Sequence, residues 1–275
     1  MLRATALVAR ASRAGLISHS KNMLVVGAGV AGVSAAMLAA SQGIRTLLIE
    51  KEDVPFFRQA SSQREIDPTE FDWPAPHWME PSIPASDSCP MPLPFPRGPA
   101  AEVAQGWRKL LRKFTDKNSE VIQVQFLKEL VGLPVSENGT VRSRIRDVES
   151  RDEYERTNSF LLDCRGAGEE RISIGDFSGF QFWEDDRLAD RNLGLSSAPR
   201  VLISGGSDGA LQDFLRIVFA GKTPREIYRR FFRASEVLHR NAGLVSGRLY
   251  ETGLHMVCGR RPGLCESETC PPRPC

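Results

Sequence analysis

The chain has 275 residues, with 36 Lys and Arg, 34 Asp and Glu, and a formal net charge of +2. This balance excludes an acidic disordered chain and a polybasic nucleic-acid-binding chain, and a hydrophobic share of 41% is ordinary for a globular protein. A chain of this length forms one large domain or two small ones. Met23–Ile44 is uncharged over the length of a membrane span, but its glycines and its strand-then-helix pattern argue against a span.

Residues 1–22 contain Arg and Ser but no Asp or Glu. Organellar transit peptides have this composition, and so do many disordered leaders. We expect a disordered leader, with the folded chain beginning at Met23. The expected location is the cytoplasm, or an organellar matrix where residues 1–22 serve as a transit peptide.

The most informative segment is residues 22–51. A short apolar run at Met23–Val26 predicts a buried strand, Ser34–Ser41 predicts a helix, and Thr46–Ile49 predicts a second strand. Between the first strand and the helix lies the turn Gly27-Ala28-Gly29-Val30-Ala31-Gly32, which follows the pattern G-x-G-x-x-G. This order of elements is typical of a nucleotide-binding unit.

Each residue type in the turn has a physical task in binding a dinucleotide. Gly27 permits the tight turn, Gly29 lacks the Cβ that would block a pyrophosphate, and Gly32 lets the helix pack closely on the strand. The helix N-terminus offers N–H groups and a partial positive charge to the phosphates. Glu50, after the second strand, can accept hydrogen bonds from ribose hydroxyls. The predicted site comprises Gly27, Ala28, Gly29, Ala31, Gly32, Glu50 and Lys51.

The turn, extended to Ala36 and followed by Glu50, resembles the flavoproteins with two dinucleotide-binding domains, which include the glutathione and thioredoxin reductases. The resemblance implies an α/β fold: a Rossmann-type parallel sheet with a β-meander and, here, a partial second nucleotide-binding unit. It also implies that the turn holds the ADP half of FAD, that NAD(P) is a second nucleotide, and that the flavin transfers a hydride or electrons from a small-molecule substrate. Disulfide reduction is disfavoured, because the chain has no C-x-x-C pair.

The middle of the chain is predicted to form an insertion, a helix and a strand. Nine prolines within residues 74–99 predict an extended insertion on the surface. Ala100–Lys117 has the pattern of a basic amphipathic helix, whose cations we expect to form a solvated face. Val121–Phe126 alternates as a strand does.

A β-meander is predicted from Leu130–Val135, Val141–Val148 and Ser159–Asp163, with an Asn138-Gly139 turn between its first two strands. It ends in the segment DCRGAG at residues 163–168. In the family that the chain resembles, a turn at this place approaches FAD. The resemblance therefore implies such a contact for Gly166, although Arg165 replaces a small hydroxyl residue.

A second glycine turn lies at residues 205–209, between a predicted strand at Val201–Ser204 and a predicted helix at Ala210–Phe219. It resembles the turn that opens the nicotinamide-nucleotide domain of the same flavoproteins. The resemblance leaves NAD and NADP both open, and it implies cofactor contacts by Gly205, Gly206, Asp208 and Gly209.

Two other interpretations of the chain remain open. The second turn also fits G-x-S-x-G, the nucleophile elbow of α/β-hydrolases, with Ser207 as the nucleophile. The base and the acid of such a triad would come from His239 or His255 and from Asp213 or Glu226. Alternatively, the chain is a non-catalytic dinucleotide-binding remnant, because too few residues follow the second turn to complete a nucleotide domain.

We therefore predict four segments: a disordered leader at residues 1–22, an FAD-binding domain at 23–199, a partial second unit at 200–257 and a cysteine-rich tail at 258–275. The predicted function is that of an FAD-binding oxidoreductase-like protein that acts on a small molecule and not on nucleic acid. The sequence indicates no metal site and no catalytic residue. Neither the substrate nor the oligomeric state follows from it.

Overall fold

The computed structural model of the chain describes residues 2–62, 64–66, 92–94, 96–166, 168, 170–184, 188, 196–197, 201–203 and 208–219. These residues lie in the first of two compact units, Met1–Ile227, and the second unit, Tyr228–Cys275, lies outside the described residues. The predicted cysteine-rich tail and most of the predicted proline-rich insertion also lie outside them.

Four parallel strands form the central sheet: β1 (Met23–Val26), β2 (Thr46–Ile49), β5 (Ile122–Gln125) and β9 (Phe160–Asp163). Their order is β5-β2-β1-β9. β1 and β2 are buried along their whole length, as strands of a parallel sheet covered on both faces are. The chain progresses in opposite directions on the two sides of β1, and open α/β sheets bind ligands at such a reversal. The sheet confirms the predicted Rossmann-type α/β fold.

Helix α2 (Val30–Ser41) connects β1 to β2, and nearly all of its residues are buried. Part of its surface is covered by α1 (Leu2–Arg13). The buried residues of α1 include three that share one helical face: Ala4, Val8 and Ala11. Residues 2–13 thus form a packed helix where the sequence predicts a disordered leader, because packing on α2 removes the apolar face of α1 from water.

Among the described residues between β2 and β5, the structure shows three short elements and one long helix. They are α3 (Phe57–Ala60), β3 (Glu65–Ile66), β4 (Gly98–Pro99) and α4 (Ala100–Lys117). Helix α4 has the predicted bounds, and its apolar face lies in the main core. β4 pairs with β3, so the last two residues of the predicted surface insertion belong to a small antiparallel sheet.

A meander covers the face of the central sheet opposite α2. Its antiparallel strands are β6 (Lys128–Glu137), β7 (Thr140–Asp147) and β8 (Glu153–Asn158). Leu130 and Ile145 of the meander pack against buried residues of β1 and β2. This packing holds the meander beside the carboxyl ends of the parallel strands.

The prediction of Ser159–Asp163 as the third meander strand is wrong. The third strand is β8, and Phe160–Asp163 instead pairs in parallel with β1. β8 escaped prediction because its sequence EYERTN is polar, as suits an edge strand that pairs with β7 and with no other described strand. The short apolar sequence of β9 is explained by its place in the buried sheet.

The remaining elements are a hairpin of β10 (Ser173–Ile174) and β11 (Phe177–Ser178), and helix α5 (Asp208–Val218). The predicted strand at Val201–Ser204 is not formed by its described residues, 201–203. Val201 and Leu202 are exposed, and within the described residues no strand pairs with them. Helix α5 begins two residues before the predicted position.

Candidate dinucleotide-binding site

The first glycine turn is closed by contacts that only glycine permits. Gly27 donates its N–H to the carbonyl oxygen of Ile49 at 2.8 Å and has a φ of +99°. A Cβ on Gly27 would lie 2.8 Å from the carbonyl oxygen of Cys164, and a Cβ on Gly32 would lie 1.8 Å from the carbonyl oxygen of Gly27. These two glycines are therefore required by the fold itself, because the ends of β1 and β9 and the first turn of α2 come so close.

Gly29 differs from the other two glycines of the turn, Gly27 and Gly32. Its φ of −74° suits any residue, and apart from its two chain neighbours no described residue has an atom within 4 Å of the position that a Cβ would take. The packing of the described residues thus gives no reason for a glycine at this position. Open space beside the turn is what the close approach of a pyrophosphate to the backbone requires.

The N-terminus of α2 faces this turn without a side-chain cap. Gly29 is the N-cap residue, and the first bond of the helix joins the Val33 N–H to the Gly29 carbonyl at 3.0 Å. The N–H groups of Val30, Ala31 and Gly32 therefore have no acceptor within the helix. The first helical turn of α2 contains no Asp or Glu, so no residue of that turn offsets the partial positive charge of the helix end.

Glu50 is fixed against the turn by backbone groups. One carboxylate oxygen accepts the N–H of Ala28 at 2.5 Å, and the other accepts the N–H of Glu52 at 3.1 Å. Ala28, predicted as a cofactor contact, uses its N–H to anchor the turn to the end of β2. Lys51, also predicted at the site, makes an ion pair with Glu52 at 3.4 Å.

The end of β9 lies beside the turn, as parallel pairing with β1 requires. Cys164 donates its N–H to the Val26 carbonyl at 2.8 Å. The guanidinium of Arg165 folds back onto Asp163 at 2.8 Å and lowers the pKa of that carboxyl. Gly166 follows with a φ of +79° and open space at its Cβ position. The structure thus brings Gly166 to the same edge of the sheet as Gly27 and Glu50.

Cys164 is unsuited to thiol chemistry. Burial raises the pKa of its thiol to about 11, and the nearby Asp163 charge adds to the effect. A thiol with such a pKa is protonated at neutral pH, and the thiolate is the reactive form. In the described part of the chain, no group of three or more His, Cys, Asp or Glu could hold a metal ion.

The second turn is described only in part. Gly205, Gly206 and Ser207 lie outside the described residues, and α5 begins at Asp208. A Cβ on Gly209 would lie 2.9 Å from the ring of Phe182, so Gly209 serves the packing of α5.

The structure weakens the hydrolase interpretation at one position. Asp213, a candidate triad acid, forms an ion pair with Arg64, whose side chain is 1% exposed. A carboxylate engaged in this way is poorly placed to orient a histidine. The other candidates for the triad, His239, His255 and Glu226, lie outside the described residues.

Sequence reasoning missed two residues beside the first turn. Phe56 donates its N–H to the Ala28 carbonyl at 3.0 Å, and Arg58 donates from its guanidinium to the Gly168 carbonyl at 3.1 Å. Both lie in the segment that follows β2, where the sequence VPFFRQ matches no motif. The one sequence signal for a contact between this segment and the glycine turn is that the segment directly follows Glu50.

Residues 25–87 match an NAD(P)-binding Rossmann-like domain. The matched segment begins in β1 and contains the first turn, α2, β2 and Glu50. The predicted resemblance to dinucleotide-binding proteins is confirmed at the level of this domain. No curated protein matches the chain in sequence.

Several solved structures are similar to part of the chain. Thioredoxin reductase from T. acidophilum has 17% identity over 57% of this chain and 38% of its own, with a TM-score of 0.36. Bacillithiol disulfide reductase from Staphylococcus aureus has 18% identity over 57% and 42%, with a TM-score of 0.36. The reduced ornithine hydroxylase from Pseudomonas aeruginosa has 17% identity over 55% and 40%, with a TM-score of 0.36. The chain thus spans less than half the length of each.

None of the helices in the described ranges has both the length and the apolar composition of a membrane span. The apolar residues 23–44 instead form β1, the first turn and α2. Their hydrophobicity is explained by burial within the sheet and under α1.

Proposed function

We propose that this protein binds FAD through its ADP half at the turn Gly27–Gly32, and that it is an oxidoreductase acting on a small molecule. The observation that carries the proposal is the contrast between the three glycines of the turn. Two of them are required by packing, whereas Gly29 leaves open space at an uncapped helix N-terminus. That is the feature expected where a pyrophosphate approaches the backbone.

The residues present fit the ADP half of a dinucleotide. The free N–H groups in the first turn of α2 would hold the pyrophosphate, and Glu50 would accept hydrogen bonds from the ribose. Each carboxylate oxygen of Glu50 binds one backbone N–H and retains a second lone pair for a hydroxyl. FAD, when bound, supplies hydride and electron transfer, and the chain supplies the position of the cofactor.

A titration of the full chain with FAD and with ADP tests this proposal, and Gly29→Ala is the informative variant. The methyl group enters open space at a φ that alanine adopts, and the entropy lost by the unfolded chain offsets the poorer N-cap, so the variant should fold with nearly unchanged stability. The same methyl group would occupy the approach of the pyrophosphate. We therefore expect the affinities for FAD and ADP to fall by about tenfold or more.

Two further variants separate binding from folding. Gly106→Ala, in α4, also enters open space and should leave both affinities unchanged. Gly32→Ala places a Cβ 1.8 Å from the Gly27 carbonyl and should lower the melting temperature. If Gly29→Ala binds ADP as tightly as the wild type, the assigned site is wrong. If the wild type takes up neither FAD nor ADP, the proposal fails altogether.

The oxidoreductase part of the proposal has a separate measurement. NADH or NADPH is added to the FAD-loaded protein without oxygen, and the flavin absorbance is followed. Loss of the oxidised flavin spectrum supports hydride transfer through the flavin. Tight FAD binding without reduction by either nucleotide, or by candidate small-molecule substrates, indicates the non-catalytic alternative instead.

A further inference from the structure

One residue beside the turn has an unusual backbone conformation. Phe56 has a φ of +56° and a ψ of 36°, in the left-handed region that bulky residues rarely adopt. Its side chain is 1% exposed and packs against Trp107 of α4, with ring centroids 5.2 Å apart. Conformations of this kind persist only where the surrounding structure holds them, and they cluster at functional sites.

The peptide group between Pro55 and Phe56 connects α4 to the glycine turn. The Pro55 carbonyl accepts a hydrogen bond from Nε of Arg108 at 3.0 Å. On the opposite side of the same trans peptide, the Phe56 N–H donates to the Ala28 carbonyl at 3.0 Å. Arg108 therefore fixes the direction in which the Phe56 N–H points.

The same geometry applies once more within the turn. The C=O of Ala28 and the N–H of Gly29 belong to one trans peptide and point in opposite directions. Since Phe56 holds the Ala28 carbonyl on one side, the Gly29 N–H is directed to the other. No acceptor among the described residues takes the Gly29 N–H. This N–H is next to the open space at Gly29 and the uncapped end of α2.

We propose that Arg108 and Phe56 are positioning residues that hold the Ala28–Gly29 peptide in its phosphate-binding orientation. The inference rests on the proposed binding of a dinucleotide at this turn and extends it to α4, outside the motif. Arg108 does not belong to the solvated cationic face predicted for that helix. Its guanidinium acts through two successive peptide groups and does not touch the ligand itself.

The test compares Arg108→Met with Arg112→Met by ADP titration of the full chain. Both variants remove one arginine charge from α4, but Arg112 is exposed and lies one turn further along. We expect Arg108→Met to bind ADP about tenfold more weakly than the wild type, because its hydrogen bond to Pro55 is lost. The affinity of Arg112→Met for ADP should lie within twofold of the wild-type affinity. Equal ADP affinities for the two variants would overturn the inference.

The backbone part of the inference has its own pair of variants. Phe56→Ala and Phe56→Gly both remove the ring, but only glycine adopts the left-handed conformation without cost. Phe56→Gly should therefore bind ADP roughly fivefold more tightly than Phe56→Ala. At Arg151, another non-glycine residue with a positive φ, the same pair of substitutions should change only the melting temperature. Equal affinity of the two Phe56 variants for ADP contradicts a positioning role.

One measurement needs no variant and distinguishes the two proposals. Hydrogen exchange in the wild type should show a protected Phe56 amide even without ligand, because its acceptor is the Ala28 carbonyl. Fast exchange of this amide overturns the positioning role even if ADP binds well. Failure of the wild type to bind ADP or FAD instead overturns the proposed function, and the inference with it.

Discussion

At the scale of single residues, Cys164 shows how closely the strands approach one another at the turn. Its carbonyl oxygen would meet a Cβ on Gly27 at 2.8 Å, and its own Cβ would meet one on Gly32 at 3.3 Å. The residue is thus part of the wall behind the glycine turn. Its half-buried thiol, with a pKa of about 11, serves packing and not nucleophilic attack.

We expect the thiol of Cys164 to resist alkylation in the folded protein at pH 8, because it is half-buried and protonated there. The unfolded chain, with the ordinary thiol pKa of 9.0, should react quickly. Since folding raises this pKa, the thiol favours the folded state below pH 9, and that contribution is lost as the pH rises to about 11. Mass spectrometry of the Cys164 peptide after a timed iodoacetamide pulse, with and without urea, measures both rates. Equal labelling of Cys164 in the folded and unfolded states would contradict the raised pKa and the protection of its thiol in the folded protein.

At the scale of elements, the sequence predicts those whose pattern is local. The apolar runs predict β1 and β2, and the helical spacing predicts α4. The glycine motif predicts the turn between β1 and α2. β8 is missed because a polar edge strand has no apolar pattern, and β9 is assigned to the meander because a short apolar strand does not reveal its partner.

The candidate site shows the same limit of sequence reasoning. The glycines and Glu50 follow from the motif, whereas Phe56 and Arg108 do not. The contact of Phe56 with the turn, and that of Arg108 with Pro55, depend on how α4 packs beside the segment after β2. A contact between distant segments leaves no signal in either segment alone.

Helix α1 provides a test of an element that the sequence did not predict. Val8 is fully buried, while its neighbour Leu7 is 43% exposed. Val8→Asp places a carboxylate in an apolar contact and should lower the free energy of unfolding by about 2–3 kcal/mol. Leu7→Asp should change it by less than about 1 kcal/mol. Urea unfolding followed by circular dichroism measures both, and two equally stable variants would mean that α1 does not pack on α2.

At the scale of the whole compact unit, α5 is joined to the segment that follows β2. Asp213 of α5 forms an ion pair with Arg64, which directly precedes β3. The guanidinium of Arg64 also lies 3.9 Å above the ring of Phe182, and Phe182 contacts α5 at Gly209. Burying the charged side chain of Arg64, which is 1% exposed, costs free energy unless it is paired. The position of Asp213 against Arg64 therefore favours one placement of α5.

A double-mutant cycle tests whether this ion pair anchors α5. Asp213→Leu removes the carboxylate from a buried guanidinium and should destabilise the protein by about 3 kcal/mol, and Arg64→Met by a similar amount. The double variant Arg64→Met with Asp213→Leu should be destabilised by less than the sum of the two, because neither charge then remains in the interface. Urea unfolding gives the three free energies. Additive effects would show that the two side chains stabilise the unit independently, and that this ion pair does not anchor α5.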